Sequence, residues 1–223
     1  MSRPLVCALL MASSVALALT SLPGCQSAYY ATMESFGVHK RDILVDRVED
    51  ARGDQEAAKE TFKTALERFS EVVKQPDTDL KKKYDALNSE LGRCEKRAST
   101  LSGRIDSIED VSEDLFAEWE KELGAYTNQD LRRSSEKELA KTKDRYGQLI
   151  SAMRNAESKM EPVLASFRDH VLYLKHNLNA QAIASLQGEL TALEGDTAAL
   201  IKDMEAAIAE ADAFIKDMRP KEG

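Results

Sequence analysis

The side chains able to do covalent, metal or acid–base chemistry are few and far apart. The cysteines are Cys7, Cys25 and Cys94, and the histidines are His39, His170 and His176. No two histidines stand at the i, i+4 spacing that puts a metal-binding pair on one helix face, and no second cysteine lies near any of them. His170 and His176 are six positions apart, about 240° around a helix, and so address different faces. The chain has no Gly-rich phosphate cradle, no Gly-x-Ser-x-Gly and no Glu-x-x-His pair of the kind that holds metals inside helical bundles. No catalytic residue, metal ligand or cofactor is therefore assigned, and the chain reads as a non-enzyme.

Cys25 is the exception, because of what precedes it. Arg3 supplies a positive start, and Leu5 to Leu19 form an uncharged run rich in Leu, Ala and Val. That run is short of the roughly 20 residues a membrane-spanning helix needs and fits a secretory signal. Leu22-Pro23-Gly24-Cys25 follows at once and is similar to the bacterial lipobox, with Pro23 the one departure from it. Signal cleavage is expected between Gly24 and Cys25, and lipidation at Cys25. A diacylglycerol thioether plus an N-acyl chain (palmitate) exceeds the two signals that stable anchoring takes. Gln26 rather than Asp follows the cysteine. By analogy with Gram-negative lipoproteins, this favours the outer membrane, with the chain facing the periplasm.

Removing the signal changes two inventories. Cys7 departs and Cys25 is consumed by lipid, so Cys94 stands alone and an internal disulfide is excluded; only a bridge across a homodimer stays open to it. Loss of Arg3 makes the formal charge of −8 one unit more negative. An acidic chain with no basic block is a poor nucleic-acid ligand, since neutralising phosphates with Lys and Arg carries most of that affinity.

The elements that position these residues are long helices. Ala, Leu, Glu and Lys dominate, and apolar residues recur at alternating steps of four and three. One seam runs Leu44, Val48, Ala51, Gln55, Ala58, Phe62, Ala65, Phe69, Val72 and stops at Pro76, with Asp79 available to cap a new helix. A second runs Leu80, Tyr84, Leu87, Leu91, Cys94, Ala98, Leu101, Ile105, Ile108, Ser112, Leu115, Trp119 and closes near Gly124, before the turn residues Thr127, Asn128, Gln129 and Asp130. A third, Leu139 to Leu174, keeps its register through Pro162, which reads as a kink inside one helix. The last runs Ile183, Leu186, Leu190, Leu193, Thr197, Leu200, Met204, Ala207, Ala211, Phe214, Met218. Between Leu174 and Ile183 the register slips, across Lys175-His176-Asn177-Leu178-Asn179. A turn there competes with a local change of winding, and Gly188 or Gly195 are alternative turn sites.

The expected architecture is all-α: an elongated antiparallel bundle or coiled coil of three to four helices, each about 60 Å long. Residues 1–24 are the signal, 25–33 a lipidated tether, 34–219 the helical domain and 220–223 a tail. On these seams Cys94 reads as a buried small apolar residue and His170 as a hydrogen-bonded core histidine. Trp119 reads as a core cap, with an exposed binding anchor as the alternative. Lys40 and Arg41, close after Cys25, are candidates for contact with anionic head groups; paired charges at a helix start are the competing reading.

Tyr29-Tyr30, Glu34, Gly37 and Lys40-Arg41-Asp42-Ile43-Leu44-Val45-Asp46-Arg47-Val48, with Val171-Leu172-Tyr173-Leu174-Lys175-His176-Asn177-Leu178-Asn179-Ala180, resemble the bacterial domain-of-unknown-function family 2959. The resemblance covers nearly the whole mature chain and implies a Gram-negative periplasmic or outer-membrane setting, with no activity and no catalytic residues to carry over. The leading expectation is a structural, scaffolding or partner-binding lipoprotein of the cell envelope. Its partners are membrane lipid through acylated Cys25, an envelope protein or peptidoglycan, and, for a homo-oligomer, further copies of the chain. The alternative is a lipid-handling or membrane-shaping helical module, which the acidic balance disfavours.

Overall fold

The structure, a computed structural model, describes residues 39–74 and 79–219. The signal, Gly24, Cys25 and the tether lie outside the described residues. Four helices follow: α1 Lys40–Lys74, α2 Leu80–Glu122, α3 Gln129–His176 and α4 Ala180–Met218, with a 3-10 turn Leu123–Ala125 after α2. Short connections make successive helices antiparallel. Helix α1 packs on α2 and α4, and α3 packs on the same two, so the helices close a ring in chain order. At 1.5 Å per residue, the 35 residues of α1 span about 52 Å and the 48 of α3 about 72 Å.

Each turn is written in capping residues. The Asp79 carboxylate accepts from the Lys82 amide at 3.1 Å and starts α2. Asn128 accepts from the amides of Asp130 and Leu131, at 2.9 and 3.2 Å, and starts α3. Asn179 does the same for α4 through Ala182, at 3.0 Å, while Asn177 closes α3. The register slip is therefore a turn at residues 177–179, and Gly188 and Gly195 lie exposed inside α4. Helix α3 runs through Pro162, which sits on its exposed face, where water can serve the carbonyl that proline leaves unbonded.

The four seams meet along the axis. Every seam position of α1 and α4 is buried, as are Leu87, Leu101, Ile105, Leu149, Met153 and Phe167. Phe69 of α1 reaches diagonally to α3, edge-on to Phe167 at 6.4 Å and stacked on His170 at 4.8 Å. A second row is buried beside each seam: Val73, Val111, Phe116, Leu164, Val171 and Ile208. A helix with two neighbours needs this wider apolar stripe, whereas a two-stranded coil needs one seam. Two polar residues are also enclosed. Gln55 and Thr197 are both 0% exposed, and neither side chain finds a hydrogen-bond partner among the described residues.

Ion pairs stitch the edges. Arg104 joins Asp50 and Asp54 across α1–α2 at 3.0 Å each, and Arg52 joins Asp212 across α1–α4 at 3.0 Å. Arg154 binds Asp106 and Glu109 across α2–α3, and Arg145 binds Asp217 across α3–α4 at 3.1 Å. Exposed pairs of this kind stabilise little, about 0–1 kcal/mol each, so their main effect is to fix the axial register of neighbours. No described helix is long and apolar enough to cross a membrane.

Candidate functional site

The two ends of the bundle differ, and the register pairs define both. At the near end the start of α1 meets the ends of α2 and α4. Lys40 donates to Glu118 at 2.9 Å, with its side chain only 12% exposed. The Arg41 guanidinium donates to the carbonyl of Met218, at the negative end of the α4 dipole. The two cations named from sequence as membrane-proximal thus hold contacts inside the bundle. Beside them the His39 carbonyl accepts the Asp42 and Ile43 amides and opens α1.

Helix α3 overhangs this end. Its Arg145 is level with Asp217, one residue before α4 stops, so residues 129–144 run past the end of α4, about 24 Å of helix. Only the last turns of α2 and the 3-10 turn face that stretch. Trp119 donates its indole N–H to Ser135 at 2.8 Å, and of residues 129–144 only Leu139 is buried. The space left between the overhang and the ends of α1 and α4 is a cleft of about 360 Å³. Trp119, Tyr126, Leu131, Phe214 and Met218 supply its apolar lining, and Arg41, Glu138, Lys141 and Arg145 stand at its rim. Trp119 accordingly does both things read from sequence: it packs on the core with one side and lines the cleft with the other.

The far end carries the α3–α4 turn. Leu172, Tyr173 and Leu178 are exposed there, at 59%, 40% and 37%. His176 is exposed beside them, on the last turn of α3. His170 is separated from it by burial: its Nε2 lies 3.3 Å from Ser166 Oγ and its ring lies on Phe69. Burial pushes the imidazole pKa down, against the opposing pull of Glu189 and Asp169. Cys94 is fully buried, and burial raises its thiol pKa to about 12. Neither the thiolate nor the sulfur is within reach of a second chain while the bundle is folded. Among the described residues no group of three His, Cys, Asp or Glu is placed to hold a metal ion.

These features define a class: a closed antiparallel four-helix bundle with one overhung end and one apolar turn. Within it, a family model described as a protein of unknown function, DUF2959, matches residues 29–218. The chain belongs to that family. No curated protein and no solved structure matches it.

Proposed function

We propose that this chain is a non-catalytic lipoprotein of the Gram-negative cell envelope. In this reading it is held in the outer membrane by acylated Cys25 and faces the periplasm. The bundle acts as a scaffold that carries a docking end away from the bilayer, toward an envelope protein. The observation that carries the reading is the opposed placement of its two ends. Helix α1 starts at Lys40, fifteen residues after Cys25, whereas the exposed Leu172, Tyr173 and Leu178 sit at the other end, about 50 Å away along α1. Exposed leucines and a tyrosine suit a protein surface better than a glycan, because apolar contact dominates them. The lipid-handling alternative calls for a basic face, and Arg52, Arg104, Arg145, Arg154 and Arg168 are instead tied to carboxylates across helix edges.

Crosslinking in living cells tests this. A photo-reactive residue at Leu172 is expected to capture an envelope protein, and Cys25→Ala is expected to abolish that capture while leaving the bundle folded. Capture unaffected by Cys25→Ala would sink the anchored scaffold. Capture of glycan strands would assign the far end to peptidoglycan.

A further inference from the structure

We infer that the near-end cleft is the seat of the chain's own residues 29–38, which pack against the α3 overhang and cover Trp119. This inference goes beyond the anchored-scaffold reading and stands whether or not Cys25 is acylated.

Four observations converge on that occupant. The first is position: α1 begins at this end, and Arg41 already stands at the cleft rim, so the residues before His39 leave α1 beside the uncovered face of residues 129–144. The second is length. Ten residues reach at most about 35 Å when extended, which exceeds the roughly 24 Å of overhang. Composition is the third: Tyr29, Tyr30, Met33 and Phe36 recur at steps of three and four, the spacing that fills the other seams. Glu34 is the one charged residue of the ten, and the rim offers Lys141, which has no ion partner among the described residues. The fourth is the family domain, whose model begins at Tyr29 and not at the start of α1. Residues 29–38 therefore belong to the recurring domain.

The physical gain follows from what the overhang lacks. Leu131 is 58% exposed and Tyr126 38% exposed because neither α1 nor α4 extends far enough to cover them. Aromatic side chains from residues 29–38 would remove that surface from water, at roughly 25 cal/mol per Å² buried. They would also link the bundle rigidly to the stretch just after Cys25.

Trp119 is the only tryptophan and reads the cleft directly. The chain from residue 25 onward, carrying Cys25→Ser, is compared with the same chain bearing Tyr29→Ser, Tyr30→Ser and Phe36→Ser. Acrylamide quenching of Trp119 is expected to rise at least twofold in the triple variant, with a red-shifted emission and unchanged helical circular dichroism. Equal quenching in the two chains overturns the inference. A benzophenone side chain placed at Leu131 supplies the second readout and does not depend on the triple variant folding. An intrachain crosslink to residues 29–38 is expected. A crosslinked dimer would give the cleft to a second copy, and protection of Trp119 only on adding phosphatidylglycerol vesicles would give it to lipid; either result overturns the inference.

Discussion

Replacing Gln55 by methionine is expected to stabilise the protein. Gln55 stands on the α1 seam between Ala51 and Ala58, is 0% exposed, and has neither its amide nitrogen nor its amide oxygen paired within the described residues. Burying an amide without a partner costs about 1–3 kcal/mol in proteins, because the water it gives up is not replaced. Methionine has a similar length and the same unbranched stem, so it fills the position without opening a cavity or forcing a neighbour aside. The expected gain is therefore about 2 kcal/mol. For a chain of this size that is a rise of about 4–8 °C in Tm. Urea unfolding followed by circular dichroism, with Trp119 emission as a second probe, measures it directly. The m value should stay constant, since the surface exposed on unfolding is unchanged. Thr197→Val, which removes the other unpaired hydroxyl, extends the test. The pairs Arg52–Asp212 and Lys59–Glu205 put Gln55 level with residues 205–212 of α4. Thr197 is thus at least ~12 Å away along the axis. The two gains should add within about 0.5 kcal/mol. A Gln55→Met variant that is equally stable or weaker, at constant m, would refute the reasoning and show that the amide is satisfied in the folded chain.

Three further outcomes are expected. His170 is buried neutral, with its pKa below the ordinary 6.5, so the folded state resists protonation more than the unfolded chain does. Its stability contribution is complete above about 6.5 and falls away as pH drops from there through the folded-state value; His170→Phe should flatten that part of the stability–pH curve measured by urea titration. Cys94, at 0% exposure with its pKa raised to about 12, should resist a thiol reagent in the native protein and react promptly in denaturant; fast native labelling would contradict its placement. Asn179→Ala should cost about 1 kcal/mol by removing the cap of α4, and equilibrium unfolding would expose an error if the loss were nil.

The seams were legible in the sequence because apolar spacing maps onto a helix face with no tertiary information. Gln55, Cys94, His170 and Thr197 all fall on seam positions and all are buried. Asp79 and Asn128 likewise announced their helices, since a cap acts through its own next few residues. The flanking rows were not legible: whether Phe116 or Val171 is covered depends on a second neighbouring helix, which no local pattern names. The near-end cleft was illegible for the same reason. Its lining comes from Arg41, Trp119, Leu131 and Phe214, one from each helix, and it exists only because α3 outruns its partners. The one local signal there was the lone Trp119 at the end of its seam. The slip at Asn177 was visible, but choosing the turn over a change of winding took the Asn179 cap and the packing of α4 back on α3.

The most direct test of the proposed anchored scaffold is the intact mass of the N-terminal peptide, taken from protein purified out of Gram-negative membranes. The expected result is a chain beginning at Cys25, with diacylglycerol on its sulfur and an acyl chain on its amino group. A mature N-terminus elsewhere, or an unmodified Cys25, would contradict the proposal.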